Sequence, residues 1–268
     1  MNELMAERRF GSSLQAHARD IRAAYRGAAI APIRHRDPEL TTDDAYAIQA
    51  INRDVWTGRG RRIVGTKIGL TSLAVQRQLG VEEPDYGYLF DDMQIVPAGS
   101  IAPGRLLQPK VEAEIAFLLR SDIARPLASH AEAAAAIDHA VPALEIVDSR
   151  IADWDIAMVD TVADNASSGL FVIGTDAVEL NRIDLAGCIM RMERNGCLVS
   201  EGAGAACLGN PLNALQWLSE ARCKRGDPLR AGEIILSGAL GPMVPANPGD
   251  RFEATIAGVG TIAVSFAS

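Results

Sequence analysis

The sequence predicts a mixed α+β protein, rich in β-structure, with a smaller and mainly helical N-terminal domain ahead of a coiled, many-cornered sheet. Three observations predict it. Helical periodicity dominates the chain up to about residue 60. Short runs of β-branched and aromatic residues then take over and recur to the end. Prolines and glycines crowd the segment from Gly238 to Gly260, which fits a sheet that turns corners rather than a doubly wound parallel one.

Taken in order, residues 1 to about 12 are polar and read as a frayed end. Residues 12–27 carry a helical stripe through Leu14, Ala18, Ile21 and Tyr25, and 28–40, with two prolines, read as a loop. Thr41 and the acidic pair Asp43-Asp44 supply a helix N-cap and first turn, with Ile48, Ile51 and Val55 on one face and a stop near Gly58. Ser129-His130-Ala131-Glu132 is a capping-box pattern for an alanine-rich helix over about 130–139. Residues 186–201 read as a hairpin turning at Asn195-Gly196. Asn210-Pro211 opens a helix whose buried stripe is Leu212, Leu215, Leu218 and Ala221. Two strands, near 251–257 and 260–266, close the chain.

Composition excludes several classes. Of 268 residues, 48% are apolar and 22% charged, as in an ordinary globular chain, and the net charge is −8. With no basic patch interleaved with aromatics, nucleic acid is not an expected partner. No apolar run approaches the roughly 18 residues that span a bilayer. Cys188, Cys197, Cys207 and Cys223 lack metal-site spacing and fit free thiols of a cytoplasmic protein.

The stretch from Gln108 to Phe117 carries the chemistry. It reads as a strand, so Glu112 and Glu114 share one face, about 7 Å apart along the backbone. A third glutamate, Glu145, interrupts the apolar run from Val141 to Val147 and is costly there unless it is paired or binds a metal. Three carboxylates point to a hard divalent cation, Mg²⁺ or Mn²⁺, with open positions for substrate. The residues alone leave a second reading open: a solvated strand face balanced by Lys110 and Arg150.

Lys67 stands among apolar residues between Gly65 and Gly69. Buried there, it loses solvation and its pKa falls toward the range useful for proton transfer. The competing reading is a lysine that snorkels to solvent. Asp85, in the turn-like Glu83-Pro84-Asp85-Tyr86-Gly87, is either a second proton carrier, an orienter of the lysine, or a residue that merely holds the turn. The short polar groups from Asp160 to Ser168 either line a pocket or form a network of side-chain turns.

Several of these stretches, in order, resemble one family. Gly65-Thr66-Lys67-Ile68-Gly69-Leu70-Thr71-Ser72, Glu112-Ala113-Glu114, Pro142-Ala143-Leu144-Glu145 and Asp160-Thr161-Val162-Ala163-Asp164-Asn165-Ala166-Ser167 are similar to the 2-hydroxypenta-2,4-dienoate (2-keto-4-pentenoate) hydratases of the fumarylacetoacetate hydrolase superfamily. Leu208-Gly209-Asn210-Pro211 and Leu236-Ser237-Gly238-Ala239-Leu240-Gly241-Pro242 extend the likeness. The resemblance implies an N-terminal domain over 1–80 and a fumarylacetoacetate hydrolase-like catalytic domain over 81–268. It implies Mg²⁺ or Mn²⁺ on Glu112, Glu114 and Glu145, Lys67 and Asp85 as catalytic residues, and Ser72 and Ser167 at the substrate. It further implies a homo-oligomer, pentamer or decamer, that can associate with a pathway decarboxylase or aldolase of aromatic meta-cleavage. The expected reaction is hydration of a 2-hydroxydienoate to a 4-hydroxy-2-oxo acid. The alternatives are a 4-oxalocrotonate-type decarboxylase on the same scaffold, or a non-catalytic partner subunit of that decarboxylase.

Overall fold

The computed structural model describes residues 3–72, 76, 81 and 83–268, with side chains from residue 11 onward. Three helices open it: α1 (Glu3–Ala24), α2 (Ile33–Arg36) and α3 (Thr42–Gly58). Helix α1 thus begins at Glu3 rather than near residue 12, and a one-turn helix stands in the segment expected as a loop. The start of α3 is fixed by reciprocal hydrogen bonds. The Asp44 N–H donates to the Thr41 hydroxyl at 3.2 Å, and the Thr41 N–H donates to the Asp44 carboxylate at 2.8 Å. Ala18 and Ile21 of α1 and Ala45 and Ile48 of α3 are buried together. The Gln49 amide donates to the carbonyls of Tyr86 (2.9 Å) and Val162 (3.0 Å), which ties the helical layer to the body behind it.

That body is two mixed sheets. The larger has seven strands: β1 (Ile63–Gly69), β2 (Asp85–Phe90), β4 (Lys110–Leu119), β5 (Ile137–Val147), β6 (Ser168–Ile173), β9 (Ile234–Leu236) and β10 (Val244–Pro245). Their order is β2-β1-β9-β4-β5-β6, with β10 also on β4. Among the described residues, only β1 and β9 are parallel neighbours there. The smaller sheet has the order β3-β12-β11-β7-β8, from β3 (Ser100–Ile101), β7 (Ile189–Arg194), β8 (Cys197–Ala203), β11 (Arg251–Ile256) and β12 (Gly260–Phe266). Strands β11 and β12 pack across β5, so the sheets enclose one continuous apolar core. Strand β1 is hydrogen-bonded into the larger sheet, and the stretch before the expected boundary at 80/81 (73–75 and 77–80) lies outside the described residues.

Helices α4 (His130–Ala136), α5 (Met158–Ala163) and α6 (Pro211–Lys224) link the strands. Helix α4 is shorter than predicted, because Ile137 pairs with Leu119 and the chain is already a strand there. Its capping box is only half made. The Ser129 hydroxyl accepts the Glu132 N–H at 3.2 Å, while the Glu132 carboxylate turns to Arg125 and the Ala128 N–H. The β7–β8 hairpin turns at Asn195 and Gly196, both at positive φ (54° and 80°), as a tight two-residue turn requires. Asn210 caps α6 by accepting the Leu212 N–H at 2.9 Å, and Leu212, Leu215 and Leu218 are buried as the stripe predicts.

Candidate active site

Adjacent antiparallel strands build the floor of the site. Glu112 on β4 stands directly opposite Glu145 on β5, and Glu114 lies on the same face one pleat further along. One carboxylate oxygen from each lies within 4.8 Å of the others. Glu114 and Glu145 are 0% and 1% exposed, and Glu112 is half-buried. The solvated-face reading therefore fails. Of its proposed counter-ions, Lys110 acts by charge on Glu112 alone of the three glutamates, and Arg150 is engaged elsewhere. Lys110 lies over the Trp154 ring at 4.1 Å, and the buried Arg150 pairs with Asp164 at 2.7 Å.

Lys67 does not snorkel. Strand β1 carries it into the core, 3% exposed, with Nζ 3.2 Å from Glu145 Oε1. The ammonium also donates to the Ala166 carbonyl at 3.1 Å. That carbonyl is presented by an unusual turn: Asn165, Ala166 and Ser167 all adopt positive φ (55°, 52° and 51°) without a glycine among them. Such conformations cost energy and persist only where the surroundings enforce them. Asn165 is held by its amide, which donates to the Tyr88 carbonyl (2.9 Å) and accepts the Tyr88 N–H (2.8 Å).

Asp85 is not a turn-holder. It is the first residue of β2, paired with Gly69 of β1 and 1% exposed. A Cβ added at Gly69 would lie 2.1 Å from Asp85 Oδ1 and 3.2 Å from Lys67 Nζ, so the glycine leaves room for both groups to converge. The Thr161 hydroxyl donates to Asp85 Oδ2 at 3.1 Å and lies 3.3 Å from Ser167 Oγ. The Asp160–Ser168 segment is thus both things at once, a pocket wall and a set of turns.

Charge sets the protonation. Burial pulls the Lys67 ammonium down, but Glu145, Asp85, Glu112 and Glu114 outweigh it, and its pKa stands above the ordinary lysine value. This corrects the fall expected from burial alone: four carboxylates surround one cation. The surplus negative charge appears as retained protons. Glu112 is pushed up to about 7 by burial and then by Glu145, and Glu114 stands well above the usual carboxylate range for the same reasons. Burial also raises Asp85, against the pull of Lys67.

The donor set fits a divalent cation. Glu114 Oε1 and Glu145 Oε2 are buried and meet no hydrogen-bond donor, while Glu114 Oε2 is fixed by the Gly238 N–H at 2.8 Å. Buried carboxylate oxygens without donors call for a positive partner.

Above this floor opens a cavity of about 370 Å³, lined by Lys67, Ser72, Asp85, Glu112 and Ser167 among others. All seven residues singled out from the sequence converge here: five line the cavity, and Glu114 and Glu145 lie in its floor. Residues the sequence reading did not single out complete the walls. Leu70, Val147, Ile156, Leu240, Pro242 and Met243 give the lining apolar character, with Glu201 also in it. Among the described residues, Lys67 is the only lysine or arginine lining this cavity. The hydroxyl of Thr161 was legible only as one of many short polar groups in its segment.

The chain is similar to known proteins over most of its length. The fumarylacetoacetate (FAA) hydrolase C-terminal family model matches residues 69–267. A 2-keto-4-pentenoate hydratase of Paraburkholderia xenovorans (strain LB400) is 55% identical over 92% of this chain and 91% of its own. The 2-keto-4-pentenoate hydratase 1 of Dechloromonas aromatica (strain RCB) is 54% identical over 90% of this chain and 92% of its own. A solved structure of 4-oxalocrotonate decarboxylase from Pseudomonas putida G7, complexed with magnesium and adipate, superposes with a TM-score of 0.92 at 36% identity, covering 95% of this chain and 97% of that one. With a family match over most of its length and hydratase relatives above half identity, the chain belongs to the fumarylacetoacetate hydrolase family, among its 2-keto-4-pentenoate hydratases.

Proposed function

We propose that the protein is a hydro-lyase that adds water to 2-hydroxypenta-2,4-dienoate, or a close homologue with an uncharged tail, in the meta-cleavage degradation of aromatic compounds. The product is a 4-hydroxy-2-oxo acid. The observation that carries this reading is the pairing of a buried three-carboxylate floor and Lys67 with an apolar cavity wall.

Glu112, Glu114 and Glu145 would hold Mg²⁺ or Mn²⁺. When bound, the ion supplies a Lewis acid for the charge that develops on the C2 oxygen of the substrate. The chain's own groups do the rest. The dienol first becomes an unsaturated 2-oxo acid: the C2 hydroxyl loses a proton and C5 gains one. Water oxygen then bonds to C4 and a proton goes to C3, so the net change is one water gained. Lys67 and Asp85 share these transfers. Lys67 is held at its Nζ by Glu145 and the Ala166 carbonyl, and Thr161 fixes Asp85. Ser72 and Ser167 line the cavity where the substrate's polar end would lie. The apolar wall takes the tail and excludes bulk water.

The decarboxylase reading draws on the likeness to 4-oxalocrotonate decarboxylase. A dicarboxylate substrate requires a cation for its second carboxylate, and the wall offers apolar side chains and Glu201 instead. Product analysis separates the two: gain of one water from the monocarboxylate dienoate supports the hydratase, and CO₂ release from a dicarboxylate overturns it. A homo-oligomer, pentamer or decamer, capable of binding a pathway decarboxylase or aldolase, belongs to the same proposal. Light scattering that finds only the 28.5 kDa single chain contradicts it. No helix among the described residues is long and apolar enough to cross a membrane.

A further inference from the structure

A second cavity, of about 230 Å³, lies away from the carboxylate floor, between the end of α1, the segment after β3 and the chain leaving β5. Four guanidinium groups line it: Arg26, Arg61, Arg105 and Arg150. Two carboxylates share the lining, and both are already committed. Asp92 accepts two hydrogen bonds from Arg61 at 2.9 and 2.6 Å. Asp148 accepts the backbone N–H groups of Leu107 (3.0 Å) and Gln108 (2.7 Å). Among the described residues, no carboxylate pairs with Arg26 or Arg105, and the Arg105 guanidinium donates to the Asp92 carbonyl at 2.6 Å.

The floor is polar and incompletely matched. Arg150 is 1% exposed, and its Nε and Nη2 are taken by Asp164 at 2.7 and 2.9 Å. Its Nη1 has only a 3.7 Å ion pair with Asp148. The Tyr25 ring stacks on this guanidinium at 4.1 Å, and the Tyr25 hydroxyl is buried without a hydrogen-bond partner. A buried hydroxyl and a buried guanidinium edge, both short of partners, share a cavity with two arginines that have no carboxylate partner among the described residues, a site that lacks an acceptor.

We infer that this cavity binds a small oxyanion, a phosphate or a short carboxylate, on Arg26, Arg105, Arg150 and the Tyr25 hydroxyl. The inference is independent of the catalytic reading, because none of these residues lines the catalytic cavity.

The test is isothermal titration of the full-length protein with inorganic phosphate and, separately, with acetate and succinate, at constant ionic strength. Arg26 and Arg105 are exposed, so Arg26→Ala/Arg105→Ala leaves the core intact. Binding should weaken by about tenfold for each guanidinium removed. Tyr25→Phe, which removes one hydroxyl that has no internal partner, should weaken it several-fold without loss of fold. Saturable binding by phosphate alone, or by the carboxylates alone, identifies the source of the oxyanion. Absence of saturable binding of any of the three in the millimolar range overturns the inference. Binding that the double variant leaves unchanged also overturns it, since the ion would then sit elsewhere.

Discussion

Four carboxylates and one ammonium share a largely buried space, and that imbalance governs the residues of the site. Burial and the neighbouring carboxylates push Glu112 up to about 7 and raise Glu114 well above the usual carboxylate range. A cation can bind only after displacing the protons held there. The sign follows: below pH 7 protons compete with the metal, and as pH rises through 7 the competition fades. Mg²⁺ affinity measured by calorimetry should therefore be markedly weaker at pH 6 than at pH 8, with protons released on binding. Equal affinity at both values contradicts this charge account. Lys67→Ala should lower turnover by about a hundredfold or more, the scale of lost proton transfer, with metal binding largely kept. Thr161→Val, which strands Asp85 Oδ2, should lower kcat with a shifted pH profile, and Thr161→Ser should restore it. Near-normal turnover in Lys67→Ala contradicts the role given to the lysine.

At the scale of elements, the sequence made some parts of the site plain and hid others. The Glu112/Glu114 strand, the Glu145 strand and the Asn195-Gly196 hairpin were legible, because alternation and turn chemistry are local signals. The early start of β5 at Ile137 was not. An alanine-rich run favours helix, and only pairing with Leu119, a distant partner, converts its end to strand. The left-handed turn at 165–167 was equally hidden, since no glycine marks it. Its enforcement comes from outside, through Asn165 locked on β2 and Gly87 packed beneath. A Cβ at Gly87 would meet the Asn165 carbonyl at 2.1 Å. Gly87→Ala should destabilise the fold by about 1–3 kcal/mol, as forced overpacking does, and displace the carbonyl that receives Lys67. Thermal unfolding together with kcat checks this; an unchanged Tm with full activity contradicts it. The drop in the Lys67 pKa expected from burial alone failed for a related reason: the surrounding carboxylates come from three strands far apart in sequence.

Over the whole molecule, the larger sheet runs β2-β1-β9-β4-β5, so that residues from Lys67 on β1 to Glu145 on β5 meet at one floor. Gln49 of α3 ties the helical layer to β2 and α5, and among the described residues none of α1–α3 lines the catalytic cavity. The segment after β9 adds Leu240, Pro242 and Met243 to the apolar lining of the cavity. The reaction tests this arrangement most directly. Metal-stripped protein would be mixed with 2-hydroxypenta-2,4-dienoate, Mg²⁺ or Mn²⁺ added, and the dienol absorbance followed with identification of the product by mass. The account predicts loss of absorbance that depends on the added metal, with a product heavier by one water. An inert mixture with either metal, or an equal rate in its absence, would contradict it.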